Sequence, residues 1–515
     1  MSDLFQTFQT LEDSVSAGRI GPPKFLRCIS SGLETSQIHS VLCQTIDDTS
    51  KLFGSAPTLA HLVGEGTEHL TALAKWPGGQ SALISISATG DPDLDIMVLG
   101  SKGALYREGL RTKDIQDLEL PRPSTTPYTG ADSPVYGVLL IGGRRTHLEG
   151  YALQFRDDPR CRLIAVADES DVGETRANLN RLLANDLGLP YIPALQEALA
   201  LDGIDIVCIC PEVERRGHIA AQCAKAGKHL YLDKPLAATL DDAQAILEAV
   251  ESSGVTAQMF TNIHSPWAQA AKQAVDQGMV GDLIAVHADC LFAKGPAGTV
   301  PEGFVRQESE GLQRYTFVEA KSELFDIGVY SLALVHWLTG RQAIQVSGIT
   351  GNYFFKEHVA CGIEDFGALA LTLEGGITAT VTGGRIGWMS HPAKGPQRAV
   401  LVGTNGTLVF DANQRRLEVS ASEPSFTSPP IHPLDPMGMW GSTQQEIHAP
   451  AKNRWLSIGD PLERNNNDIS VFLDCLDNRV EPEITAAVAA TLLEVTLAGY
   501  ASASYEKMIS LPFTP

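Results

Sequence analysis

The feature that most constrains this chain is an alternation of short apolar runs with helical stretches between Pro134 and about Phe260. Residues 135–141 form a β-rich run that ends on Gly142-Gly143, and a helical pattern follows over about 146–155. Residues 162–167 read as a second strand ending on Asp168, followed by a polar helix over about 172–185 and a weak strand near Tyr191-Ile192. Residues 204–210 read as a buried strand ending at Pro211; the helix after it closes at Gly227, since glycine takes the left-handed C-cap conformation at no steric cost. Residues 229–232, a helix over 241–251 and a strand over 255–260 complete the series. Short strands alternating with helices predict right-handed βαβ units, hence a doubly wound parallel sheet of the Rossmann type. Ligands of such sheets bind beyond the carboxyl ends of the strands. Gly142, Gly143, Asp168, Pro211, Asp233 and Lys234 all fall at such ends.

The texture changes after Phe260. A helix is expected over 267–278, an irregular stretch rich in Gly, Pro and charge over 292–318, and a helix over 323–338. Alternating segments at 344–353, 366–373, 377–381, 399–402 and 407–410 predict an antiparallel sheet with one open face, the sheet of a C-terminal α+β domain. A Pro- and Ser-rich loop over about 422–452 precedes two closing helices at 467–476 and 484–504. The first 130 residues form a separate α+β region that ends in the proline-rich stretch 121–134, a plausible linker. Trp76-Pro-Gly-Gly and Leu99-Gly-Ser-Lys-Gly-Ala-Leu in that region echo Leu373-Glu-Gly-Gly and Val402-Gly-Thr-Asn-Gly-Thr-Leu, so a degenerate repeat of part of the C-terminal domain and a chance likeness between hairpins both stand. The expected division is 1–130, 134–262 and 263–515.

Charge narrows the partners. With 39 basic against 61 acidic residues the formal net charge is −22, the wrong sign for nucleic acid or an anionic membrane surface. The 9 cysteines are scattered and form no CxxC pair, which is the thiol usage of a reducing compartment. The N-terminus has no secretory pattern and no run of about 18 apolar residues suggests a membrane span, so a cytoplasmic protein is expected. Glu357-His358 has no partners at ligand spacing; it reads as a loop or surface pair, and no metal is expected.

The turn Gly142-Gly143-Arg144-Arg145-Thr146-His147 offers glycines where a pyrophosphate must approach a helix N-terminus, although it falls short of the full G-x-G-x-x-G pattern. Arg144 or Arg145 supplies charge for direct phosphate contact. Asp168 suits the adenosine ribose hydroxyls and repels a 2′-phosphate, which favours NAD over NADP; Asp also suits a helix N-cap. An ammonium at Lys234 stabilises a developing alkoxide during hydride transfer.

The run Ala226-Gly-Lys-His-Leu-Tyr-Leu-Asp-Lys-Pro-Leu-Ala237 resembles the AGKHVLVEKPLA segment of the Gfo/Idh/MocA oxidoreductases. Gly278-Met-Val-Gly-Asp282, Phe325-Asp326-Ile-Gly328-Val-Tyr330 and Gly403-Thr-Asn-Gly406 resemble further family motifs in the same order. The resemblance implies Lys234 as catalytic lysine, Tyr330 as proton acceptor and donor, and Asp326 as a carboxylate orienting the sugar. The sequence departs from the family at Asp233, where Glu is usual, and after Pro211, where either Arg216 or His218 answers to the expected histidine. Lys321, Glu323, Arg314 and His264 are further charged groups near the motifs, each read first as a surface residue.

The expected function is NAD-dependent hydride transfer from a secondary alcohol of a sugar, polyol or glycoside. Redox-neutral glycoside cleavage through transient oxidation, and a non-catalytic dinucleotide- or sugar-binding regulator, are the rival readings. The expected partners are a small sugar or polyol and further copies of the chain, a homo-oligomer.

Overall fold

Three sheets follow one another along the chain in a computed structural model that describes residues 2–18, 20–64, 68–90, 93–107, 135–143, 146–293, 298–308, 314–317, 320–387, 395–412, 416–421 and 468–513. The first region comprises α1 (Ser2–Ser16), β1 (Pro23–Ser31), α2 (Ile38–Phe53), β2 (Leu59–Val63), β3 (His69–Lys75), β4 (Ser81–Ser87), β5 (Asp93–Gly100) and β6 (Ala104–Arg107). Its strand order is β2-β3-β4-β1-β5-β6. β1 and β4 run parallel and the other neighbours antiparallel. α2 carries Ile38, Val41, Leu42 and Leu52 on one stripe and lays them on Leu26, Cys28, Ile84 and Val98. Gly54 ends the helix at φ 79°, the left-handed conformation that glycine accepts most readily.

The second sheet is the one the alternation predicted. β7 (Tyr136–Ile141), α3 (Leu148–Asp157), β8 (Cys161–Ala167), α4 (Glu174–Leu187), β9 (Tyr191–Ile192), α5 (Leu195–Leu199), β10 (Ile206–Ile209), α6 (Val213–Lys225), β11 (His229–Leu232), α7 (Leu240–Ser253) and β12 (Ala257–Met259) follow in order. The sheet order is β12-β11-β10-β7-β8-β9, with every pair parallel. Both faces are covered, which is why the strands read as unbroken apolar runs. Leu139, Ile141, Val207 and Leu230 pack on one side with Ile219 and Ile246. Val138, Leu140, Cys208 and Tyr231 pack on the other with Leu148, Phe155 and Phe472. The short helix α5 is an addition to the sequence reading, and the other boundaries move by about two residues.

The third region comprises α8 (Pro266–Asp276), β13 (Leu283–Phe292), α9 (Glu323–Asp326), α10 (Gly328–Thr339), β14 (Ala343–Gly351), α11 (Lys356–Cys361), β15 (Phe366–Leu373), β16 (Thr378–Arg385), β17 (Gln397–Gly403), β18 (Gly406–Asp411), β19 (Arg416–Ala421), α12 (Asp468–Asn478), α13 (Ala486–Tyr505) and β20 (Ile509–Ser510). The strand order is β19-β18-β17-β13-β16-β15-β14-β20, and β13 with β16 is its parallel pair. One face carries α10, α13 and the parallel-sheet domain. The other lies against the first sheet: Phe25, Leu83, Met97 and Leu99 meet Leu291, Ile349, Phe366 and Ala368. The central strand β13 is absent from the sequence reading because its buried run is interrupted by the polar His287 and Asp289. α13 is long and apolar enough to cross a membrane by length and hydropathy, contrary to the reading that no such run exists. It packs on β14 and α7, and a Cβ on Gly348 would stand 2.2 Å from the Gly499 carbonyl oxygen.

The helix expected over 323–338 is broken at Ile327 into α9 and α10. The break lets Gly328 press on the sheet: a Cβ built on Gly383 of β16 would stand 2.5 Å from the Gly328 Cα and N. Two glycines therefore set how deep the start of α10 sits, and with it Asp326 and Tyr330.

Candidate active site

Lys234 stands two residues past the end of β11, at the edge that faces α9 and α10. Its side chain is 1% exposed. Nζ donates to Asp326 Oδ1 at 3.0 Å and to the Asp326 carbonyl oxygen, and it lies 4.9 Å from the centre of the Tyr330 ring. The three residues named from the motifs thus meet, although Asp326 and Tyr330 come from two short helices and not from one face of a continuous helix. The Lys234–Pro235 peptide is cis.

Electrostatics separate their roles. Burial opposes ionisation of Asp326, but the charges of Lys234 and Lys321 outweigh it and hold the carboxyl well below the usual range. Lys321 Nζ stands 3.7 Å from Asp326 Oδ1, with about half its side chain open to solvent. Burial, followed by the negative charges of Asp233 and Asp326, keeps the Tyr330 hydroxyl protonated well above its ordinary range. Phe260 and Phe292 pack edge-on to its ring, with centroids 6.2 and 6.5 Å away.

Asp233 serves the loop. It is 6% exposed and accepts from Tyr151 Oη at 2.8 Å, His147 Nδ1 at 2.9 Å, Cys210 Sγ at 3.2 Å and Arg216 Nη2 at 3.2 Å. Arg216 also donates to the carbonyls of Pro211 at 2.9 Å, Asp233 at 3.1 Å and Pro235. Of the two residues that answered to the family histidine, Arg216 is the one built into the site. His218 bonds to Glu169 at 2.8 Å on the other side of α6.

Three charged residues read as surface groups are placed differently. Glu323 is 1% exposed and accepts from Arg385 Nε at 2.7 Å, with His358 Nε2 at 3.2 Å. His358 is therefore not a loop or surface residue; α11 carries it into the core, beside the start of α9. His264 is also buried, 3.6 Å from Asp468, and burial lowers its pKa to about 4. Arg314 does lie at the surface and stacks on Phe317, 4.6 Å from the ring centre. Among the described residues no group of three His, Cys, Asp or Glu side chains is placed to hold a metal ion.

The crevice at the ends of β7, β8 and β10 fits a dinucleotide. Gly142 has φ 121°, and a Cβ there would stand 3.0 Å from the Cys210 carbonyl oxygen, so glycine lets these two strand ends close together. A Cβ on Gly143 would meet Asn180 Oδ1 at 2.4 Å. Asn180 Oδ1 is buried without a hydrogen-bond partner among the described residues, as expected of a group that faces a polar ligand, while Arg176 is ion-paired, Nε 3.5 Å from Asp168 Oδ2 and Nη2 3.5 Å from Glu212 Oε2. Asp168 stands at its predicted strand end but is 1% exposed. Its oxygens accept from Glu169 N and Asn180 Nδ2, both at 2.9 Å, so ribose contact requires Asn180 to give way. Pro211 offers its carbonyl to Arg216. Arg144 and Arg145 lie outside the described residues.

A parallel sheet with a glycine turn at its switch point and a buried lysine at a strand end defines an NAD-binding oxidoreductase domain. Residues 137–261 match the oxidoreductase family with an NAD-binding Rossmann fold, and residues 268–409 match the GFO/IDH/MocA C-terminal domain. The chain belongs to the Gfo/Idh/MocA family. It is 25% identical over 268 residues to scyllo-inositol 2-dehydrogenase (NAD(+)) of Bacillus subtilis, covering 50% of this chain and 70% of that protein. D-apiose dehydrogenase of Paraburkholderia graminis is 26% identical over 323 residues, covering 62% and 75%. In fold the chain is similar to the WlbA dehydrogenase from Bordetella pertussis, solved with NADH and UDP-GlcNAcA, with a TM-score of 0.54 at 19% identity over 75% of this chain and 100% of that one.

Proposed function

We propose that this protein oxidises a secondary alcohol of a sugar or polyol with NAD. The observation that carries the reading is the buried Lys234 ammonium, held by Asp326 beside the Tyr330 ring at the end of a parallel strand. The sugar and polyol dehydrogenases among the relatives support the substrate class. NAD, when bound, supplies the hydride acceptor; the Gly142-Gly143 turn, Asp168, Asn180 and Arg176 are the groups that hold it. Lys234 donates to the substrate hydroxyl oxygen and stabilises the negative charge that develops on it. Asp326 holds Lys234 Nζ in place through its carboxylate and its carbonyl oxygen. Tyr330 takes the hydroxyl proton in oxidation and returns it in reduction. A screen of sugars and polyols with NAD, read as NADH absorbance, tests the reading. NADH formation with one of them is the expected result. Product from a glycoside with no NADH moves the reading to redox-neutral cleavage.

The pH dependence follows from Tyr330. Its pKa is raised, so it is a protonated donor at neutral pH and becomes a base only as pH climbs. Oxidation is expected to accelerate with pH and still to be rising at about pH 10, the ordinary tyrosine value, while reduction stays flat through neutrality. A plateau of the oxidation rate near pH 7–8 would assign the base to another group.

A further inference from the structure

The first and third sheets share one topology. β1 to β6 and β13 to β18 follow the same order in space, β2-β3-β4-β1-β5-β6 and β14-β15-β16-β13-β17-β18. The parallel pair is β1 with β4 in one and β13 with β16 in the other. The connection after the first strand is helical in both, through α2 and through α10. Even an irregularity recurs: the register slips between Pro23 and Phe25 against β5, and between Leu283 and Ala285 against β17. The glycine turns after β3 and β5 coincide with those after β15 and β17.

This register fixes which residues are equivalent. Asp95 opposes Ile29 and stands 5 residues before Gly100; Arg398 opposes Asp289 and stands 5 residues before Gly403. Asp95 and Arg398 are therefore the same position in the two sheets, and they form a salt bridge with each other. Contact between equivalent positions is the mark of an isologous, two-fold interface. Arg27 completes the buried cluster, with Nη2 2.6 Å from Asp95 Oδ1 and a second pair to Asp289. Around it, Ser81 Oγ meets Tyr353 Oη at 2.7 Å and Ser85 Oγ meets His287 Nε2 at 3.3 Å. The copy does not keep a site: in sequence only residues 32–37 separate β1 from α2, whereas residues 293–322, among them Lys321, separate β13 from α9.

We infer that the first region is a second copy of the C-terminal sheet domain, kept in cis as the permanent partner of that sheet, so that one chain forms a pseudo-dimer with a single active site. The on-axis pair gives the interface its direction. Two copies of the third sheet would bring Arg398 onto Arg398, and two copies of the first would bring Asp95 onto Asp95. Only the mixed pairing is attractive, so like-charge contact excludes self-pairing. The turns of the copy also brace the segment before α9: a Cβ on Gly79 would stand 3.1 Å from the Phe304 carbonyl oxygen, and one on Gly298 2.9 Å from that of Ser101.

The test cuts the intact chain at a protease site engineered between residues 108 and 134. Size exclusion with light scattering is expected to show both fragments eluting together at the mass of the uncut chain at micromolar concentration. Asp95→Asn, which strips Arg398 and Arg27 of their shared carboxylate, is expected to weaken that association on the order of 10²-fold, read by dilution. Separation of the fragments from the cut, unsubstituted protein overturns the proposal, and this arm holds whether or not Asp95→Asn folds. Equal association with and without Asp95→Asn overturns the role of the on-axis pair.

Discussion

Lys234→Met is expected to lower turnover by about 10²–10³-fold in both directions, the effect of removing one donor aimed at a developing oxyanion. Methionine keeps most of the volume at a site where the side chain is 1% exposed, so the packing around Tyr330 is retained. The lost group is the ammonium alone. Asp326 then keeps Lys321, at 3.7 Å and half in solvent, as its ion-pair partner among the described residues. NADH affinity, followed by fluorescence titration, is expected to change little, because the glycine turn and Asp168 lie at other strand ends and Arg176 on α4. Lys234→Arg is not expected to restore the rate: a planar fork does not occupy the place of a compact ammonium 4.9 Å from the Tyr330 ring centre. Near-normal turnover in Lys234→Met would remove this lysine from the chemistry, and with it the observation on which the proposed function rests.

The parallel sheet was legible because its strands are buried on both faces and punctuated by glycine, proline and aspartate at their carboxyl ends. β13 was hidden because the polar His287 and Asp289 interrupt its buried run. The site was legible where a motif fixed the residue, and Lys234, Asp326 and Tyr330 do converge. It was not legible where tertiary packing decides which way a residue faces. Spacing on α6 left Arg216 and His218 as alternatives; the helix turns one beneath the Asp233–Pro235 loop and the other toward Glu169. Glu357-His358 read as a surface pair because the partner of His358, Glu323, lies 35 residues away in sequence. The glycine hairpins of the first region hinted at a repeat, but shared strand order and a shared register slip exist only in three dimensions.

Arg216→Met is expected to cost about 3–5 kcal/mol of folding stability, the penalty of removing one partner from a buried ion pair. Burial opposes ionisation of Asp233, and Arg216 leads His147 and Lys234 in holding its carboxyl well below the usual range. Without the guanidinium, a buried carboxylate keeps hydrogen bonds from Tyr151, His147 and Cys210 but loses its largest opposing charge. The carbonyls of Pro211, Asp233 and Pro235 lose their common donor at the same time. The loop that carries Lys234 is then held less firmly, so turnover of the folded fraction should fall as well. His218→Ala is the contrast: its side chain is 47% exposed, and a change within about 0.5 kcal/mol is expected. Denaturant titration of both variants, with turnover measured where each is folded, separates the two positions. An Arg216→Met protein as stable and as active as its parent would show that the β11 loop is held by the sheet alone, and Arg216 would lose its place in the site.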